Sequence, residues 1–415
     1  MGWACGRMEI AQIFLILGAV LVTGFTGRLI RQRTDIPESL FLIFFGLLLG
    51  PVVGLVPGEQ LLEFVPIVSV AAMVTILVEA GIGFDVSTLS SSLKNAAFFT
   101  FLVAMISTFL IGGFLHYGFG WDPMYAALLG LICSGTTTIT AMSLLRNLDV
   151  GEKLKRLILL ETIINDFTLI LGTFLIVEFI SVGSFTFDIL ARTLFSELAI
   201  AISLGIACAV LWRRVLKDLN MERSLNYISS IGLCFMLYYI AGFLGGNPII
   251  AIFTFSLFLG NYHKIYDLIG RRKTKPDQSF QQVLKSISSV QTDFTFFIAS
   301  FFFVLLGVTM DFSLLTQTTL LMIGGILGII FATRFLSSEV LVMIDGYFAK
   351  YRDLITIMVP RGYVAAVLAF VPAQQGIEIP LLTDIIVILV VVTNIIAIAG
   401  VAVYAKVHKT KVKKK

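Results

Sequence analysis

Four polar residues, Glu161, Thr162, Asn165 and Asp166, stand in the first half of LILLETIINDFTLILGTFLIVEF, residues 157–179, an apolar run long enough to cross a bilayer. Their spacing of i, i+1, i+4 and i+5 draws one polar stripe down a helix. A carboxylate at the bilayer centre costs about 2.5–3.5 kcal/mol on insertion scales, so such a group faces a bundle interior or a wet cavity. Two chemistries are open to it. The stripe either binds a proton or a small cation reversibly, or it is a buried polar cluster that only fastens helices together.

A second constellation lies just before it. In CSGTTTITAMSLL, residues 133–145, Gly135 is followed by Thr136, Thr137, Thr138 and Thr140. Glycine and β-branched residues lower helix propensity, and hydroxyls compete for backbone carbonyls, so an unwound turn is predicted here. VPRGYVAAVLAFVP, residues 359–372, is interrupted in the same manner by Pro360, Gly362 and Pro372. Broken helices at the midplane free carbonyl oxygens for small cations, and one in each half of a chain is a pointer to a binding site.

The elements that must position these residues are membrane spans. The 415 residues are 58% hydrophobic and 13% charged, with 36 Phe and 35 Gly, and the mean hydropathy is +0.97. That composition describes an all-α polytopic membrane protein, and the uniform runs lack the alternation of an outer-membrane barrel. Thirteen apolar stretches are counted, roughly 9–28, 36–56, 63–83, 95–117, 121–145, 157–180, 188–212, 225–244, 247–262, 290–309, 317–342, 355–374 and 381–404. With the N-terminus outside, the inner loops collect Arg28, Arg31, Arg33, Lys94, Arg146, Lys153, Lys155, Arg156, Arg213, Arg214, Lys217, Arg223, the basic loop 263–286, Lys350, Arg352 and the tail. The outer loops keep only Arg7 and Arg192, so the C-terminus is expected in the cytoplasm. Arg334 and Arg361 fall at or inside spans and join Glu79, Glu161 and Asp166 as intramembrane charges.

An internal repeat accompanies this topology. GIGFDVSTL (81–89) resembles GVTMDFSLL (307–315), and IPESLFLIFFGLLLG (36–50) resembles NPIIAIFTFSLFLG (247–260) with one gap. Both matches relate spans seven apart, which run in opposite directions. The expected organisation is a transmembrane domain over 1–404, with inverted repeats at 1–180 and 225–404, a linking helix at 181–224 and a basic tail at 405–415. No cleavable signal is expected, because Arg7 and Glu9 directly precede the first run. The basic loop, with a short surface helix, and the lysine tail are read as topology signals that touch anionic lipid. The net charge of +4 is spread along one membrane face, which argues against nucleic acid. Four scattered cysteines and three distant histidines indicate neither disulfides nor a metal cluster.

In order along the chain, IPESLFLIFFGLLLGP, VEAGIGFDVSTL, SGTTTITAMSLL, ETIIND, FFFVLLGVTMDFSLL, FATRF and PRGYVAAVLA resemble the monovalent cation/proton antiporter family, the prokaryotic sodium/proton exchangers. ETIIND is the most diagnostic, being similar to the family's Glu-Ser-x-x-Asn-Asp. The resemblance implies a thirteen-helix homodimer in the plasma membrane, with unwound fifth and twelfth helices that cross, a core bundle that moves against a dimerisation domain, and no cofactor. By matching position it makes Asp166 the carboxylate that binds cation or proton, with Glu161, Thr162, Thr136 and Thr137 as neighbouring oxygens. It places Asn165, Glu161 and Arg334 in a supporting network and makes Glu79 and Arg361 a second candidate ion pair.

One departure stands out. The family commonly has Thr-Asp-Pro in the fifth span, where this chain has Thr136-Thr137-Thr138. Fewer anionic ligands weaken the hold on a small hard cation, so potassium becomes the alternative to sodium, which stays the expected transported ion ahead of potassium or lithium. With one free carboxylate per site, if Arg334 neutralises Glu161, exchange is expected to be electroneutral and one for one. A channel would more often show rings or filter loops. An intramembrane aspartyl protease needs paired aspartates, which Asp122 of GFGWD does not supply, and a ligand-gated potassium-efflux exchanger would carry a nucleotide-binding motif.

Overall fold

The computed structural model describes residues 10–34, 36–56, 61, 64–84, 93–146, 148–182, 187–218, 223–269 and 278–408. The Asp-Val-Ser part of the first repeat match, the middle of the basic loop and the lysine tail from 409 lie outside the described residues. The helices are α1 (Ile10–Thr34), α2 (Glu38–Leu47), α3 (Val65–Gly83), α4 (Leu93–Phe119), α5 (Pro123–Ile132), α6 (Thr138–Arg146), α7 (Glu152–Val182) and α8 (Phe187–Asp218). They continue with α9 (Arg223–Phe243), α10 (Pro248–Ile269), α11 (Gln278–Val308), α12 (Gln317–Ile344), α13 (Arg352–Ile357), α14 (Tyr363–Leu368), α15 (Val371–Gln374) and α16 (Leu382–Val407). Among the described residues, nine helices are long and apolar enough to cross a membrane. Backbone polar groups in hydrocarbon must be satisfied within the segment, which is why these runs are helical.

The helices map onto the thirteen windows, with two windows subdivided. The fifth is split into α5 and α6, and the twelfth into α13, α14 and α15. No separate surface helix occupies the described parts of 263–286. Residues up to Ile269 prolong α10 and those from Gln278 open α11, because the polar flanks keep their helical bonds beyond the apolar window. Asp122 accepts from the backbone of Met124 and Tyr125 as the N-cap of α5.

Two groups of helices result. In one, α4 packs on α5, α7 and α12, while α13 and α14 lie on α16. In the other, α2 and α3 pack on α11, and α10 packs on α3, α8 and α9. The groups touch where α14 meets α3 and where α7 meets α8.

Glycines set the closest approaches within the second group. A Cβ on Gly50 would lie 2.6 Å from the Val308 carbonyl oxygen, and one on Gly260 would lie 2.8 Å from that of Ile82. Gly81 is pressed against Ser256 of α10, and Gly46 against Val304 and Gly307 of α11. These pairs exchange with one another under the correspondence of 36–50 with 247–260 and of 81–89 with 307–315. The next residue along breaks the helix in both copies: Pro51 sits in a π turn, Leu48–Val52, and Asn261 leaves helical geometry. The sequence likeness is therefore also a likeness of packing.

Candidate functional site

Between α5 and α6 the chain unwinds over residues 133–137, and between α13 and α14 it unwinds over 358–362. The two breaks cross. Thr137 donates its backbone N–H to the Pro360 carbonyl at 2.9 Å. Gly362 is required at the crossing, since a Cβ there would lie 2.5 Å from Cβ of Thr137.

Each break is held by an asparagine from the following span. Asn165 Nδ2 donates to the Ser134 carbonyl at 3.1 Å, with Thr136 Oγ1 at 3.4 Å. Asn394 Nδ2 donates to the Arg361 carbonyl at 2.7 Å, and the Arg361 N–H donates to Thr393 Oγ1 at 3.2 Å. Backbone groups that a helix would have paired are thus satisfied by side chains. Sequence reasoning missed Thr393 and Asn394, although they are a polar pair in the middle of the apolar run IIVILVVVTNIIAIAG.

Glu161 is fully buried and paired. Its Oε1 lies 2.5 Å from Arg334 Nη1 and accepts from Thr136 Oγ1 at 3.0 Å. Arg334 also donates to the Ile355 carbonyl at 3.1 Å and lies over the Phe99 ring at 5.1 Å. The guanidinium therefore ties the stripe to the second break's approach while cancelling the Glu161 charge. Thr162 Oγ1 accepts from Thr138 Oγ1 at 2.9 Å and donates to the Leu159 carbonyl at 3.0 Å.

The ion pair expected between Glu79 and Arg361 is not formed. Arg361 donates instead to the carbonyls of Cys133 and Val359. Cys133 caps the C-terminal end of α5, where helix carbonyls lack amide partners and a cation is favoured. Glu79 accepts from Thr292 Oγ1 at 3.1 Å.

Asp166 differs from its neighbours on the stripe. Its carboxylate has no hydrogen bond or ion pair among the described residues, and it borders two cavities. One, of about 20 Å³, is bounded by Thr136, Thr137, Thr138, Gly362 and Tyr363. That is room for one water-sized particle. The other, of about 450 Å³, runs between the two helix groups past Thr138 and Tyr363 to Glu79, Gly83 and Phe84 at the end of α3. Tyr363 and Thr138 thus join the site residues that sequence reasoning named. Among the described residues no group of three His, Cys, Asp or Glu is placed to hold a metal. The arrangement offers a carboxylate without a protein partner at the breaks, several neutral oxygens beside it, and a cavity that reaches it from the end of α3.

Comparison with known proteins gives concordant results. The family model described as sodium/hydrogen exchanger, transmembrane, matches residues 16–406. The Na(+)/H(+) antiporter ApNhaP of Aphanothece halophytica is 28% identical over 275 residues, which are 63% of this chain and 50% of that protein. The low-affinity Na(+)/H(+) antiporter NhaS1 of Synechocystis is 25% identical over 341 residues, 79% of this chain and 59% of that one. The chain thus spans about half the length of the curated relatives it matches. The solved structure of the sodium proton antiporter MjNhaP1 from Methanocaldococcus jannaschii at pH 8 superposes with a TM-score of 0.75 at 20% identity, covering 96% of this chain and 97% of that one. The likeness shows a shared fold.

Proposed function

Because the chain belongs to the sodium/hydrogen exchanger transmembrane family, we propose that it exchanges a monovalent cation, sodium foremost, for protons by alternating access, with Asp166 carrying one or the other. The observation that carries this reading is the contrast within the stripe. Glu161 is held by Arg334, whereas Asp166 is left facing the cavities. Proton and cation compete for this one carboxylate, because either of them neutralises a charge that is costly within the membrane. If the site crosses only when loaded, exchange is obligatory and moves one charge each way.

The oxygens for the cation are Asp166 together with Thr136, Thr137 and Thr162, and Asn165, Glu161 and Arg334 hold them in place. Thr137 brings a neutral oxygen where relatives of this type commonly bring a carboxylate, which keeps the site at a single negative charge and the exchange electroneutral. The inverted repeats take 1–180 and 225–404, with α8 as the reversing helix. The protein works as a homodimer in the plasma membrane, its arginine- and lysine-rich loops in the cytoplasm and its N-terminus outside. The large cavity then opens Asp166 toward the cytoplasm.

Proteoliposomes carrying a pH gradient and an internal pH dye test the reading. Sodium, then lithium, collapses the gradient, with potassium and rubidium as comparisons, and no membrane voltage develops. A gradient indifferent to all four cations, or a voltage generated by exchange, contradicts it. Thr137→Asp shifts the preference toward sodium and lithium. An unchanged preference would remove that side chain from the ligand set.

A further inference from the structure

We propose that Cys208 of α8 and Cys234 of α9 form a dithiol site for a soft, two-coordinate metal ion such as Hg2+, in the helix group that does not carry Asp166. The two cysteines are distant in the sequence, and the fold brings them together. Helix α8 ends at Asp218 and α9 starts at Arg223, so the chain turns back and the two helices pack side by side. One hydrogen bond marks their register. Trp212 Nε1 donates to Ser230 Oγ at 2.8 Å, and that hydroxyl donates onward to the Asn226 carbonyl at 2.6 Å. In an antiparallel pair, a step of one turn back along one helix lies opposite a step of one turn forward along the other, on the same faces. Cys208 stands one such step before Trp212 and Cys234 one step after Ser230, so the two positions face each other.

Both thiols are free, and they lie within electrostatic reach of each other. Cys234 is fully buried and Cys208 half-buried. Thiolate sulfur selects soft cations, whereas the oxygens around Asp166 suit hard ones. With no third His, Cys, Asp or Glu grouped with them among the described residues, the pair does not make a tetrahedral zinc site, and two opposed sulfurs suit a metal that takes two ligands in line. Mercuric chloride is neutral and enters hydrocarbon. Each thiol gives up its proton and each sulfur displaces one chloride, so two S–Hg bonds form, two molecules of hydrogen chloride leave and nothing is oxidised. The remaining free cysteine among the described residues, Cys133, caps α5 in the other helix group. The metal therefore bridges α8 to α9 within one group and does not cross the seam between the two.

X-ray absorption at the mercury edge tests the site in the purified full chain loaded with an equimolar amount of mercuric chloride. Wild type shows two sulfur neighbours around each mercury, and Cys208→Ala and Cys234→Ala each lose that coordination. A single sulfur neighbour in wild type overturns the proposal, as does two-sulfur coordination that survives in either variant. Cys133→Ala keeps both neighbours, and their loss there would place the metal elsewhere and overturn it equally. Competition with a small monothiol gives the affinity. Each of the first two variants binds mercury at least about a hundredfold more weakly than wild type, because the second S–Hg bond is then no longer intramolecular. Equal affinities overturn the proposal. Size exclusion verifies folding, and Cys208→Ser and Cys234→Ser, closer in size and polarity to the native thiol, repeat the measurement wherever an alanine variant fails to fold. The melting temperature rises with mercury in wild type and stays fixed in Cys208→Ala, since only the paired thiols bind the folded state tightly; an equal rise in both contradicts the bridge.

Discussion

Glu161 and Asp166 lie five residues apart on one helix, and their surroundings divide them. Glu161 gains a guanidinium and a threonine hydroxyl at a single oxygen, whereas Asp166 has only cavity before it. Removing one partner of a buried pair leaves an uncompensated charge, so Glu161→Ala is expected to destabilise the protein by about 3–5 kcal/mol. Thermal unfolding in detergent measures this, and adding Arg334→Ala recovers part of the loss, because the two effects are not additive. Asn394→Ala strips the Arg361 carbonyl of its partner and costs about 1–3 kcal/mol by the same assay. The stripe was legible in the sequence from its helical spacing, and the Glu161–Arg334 pairing through the family resemblance, since opposite charges alone also suggested Glu79 with Arg361, which do not pair. The partner of Arg361 was not, because a backbone carbonyl at a helix end leaves no mark on residue identity.

The broken helices work as elements because each is incomplete alone. Gly135 and the threonine run forecast the first break, and Pro360 with Gly362 the second, and these are local propensities that a sequence displays. Their contact, Thr137 N–H to Pro360 carbonyl, is tertiary and was legible only as a resemblance. The crossing leaves no room for a methyl group at 362. Gly362→Ala is therefore expected to displace Thr137 and reduce exchange at least tenfold, roughly 1.4 kcal/mol in the barrier, while the protein still folds. Wild-type rates in that variant would mean the crossing tolerates separation. The glycines of the other group make a paired prediction. Gly50→Val and Gly260→Val each drive a side chain into a facing helix backbone, and both lower the folded yield by size exclusion to a similar degree.

At the scale of the whole molecule, the basic end of one helix group is tied by a salt bridge. Lys153 Nζ lies 2.5 Å from Asp345 Oδ2, and Asn95 Nδ2 donates to the same oxygen at 3.2 Å. The hydrogen bond from Lys153 holds the Asp345 carboxyl below its ordinary value of 3.8. Its folded-state value is thus depressed, so its contribution to stability is full above 3.8 and fades as the pH falls through the lower folded value. The melting temperatures of wild type and Asp345→Asn should differ at neutral pH and converge in strong acid, and a constant difference would exclude the linkage. The spans were legible because hydrocarbon imposes length and polarity on the sequence. The two-group arrangement and its cavities were not, since they depend on which helix faces meet. The measurement that bears most directly on the account is sodium-driven proton efflux from proteoliposomes containing Asp166→Asn beside the wild type, with folding verified by size exclusion. The wild type should acidify the medium on sodium addition and Asp166→Asn should not; full exchange by Asp166→Asn would contradict the assignment of Asp166 as the group that carries both ions.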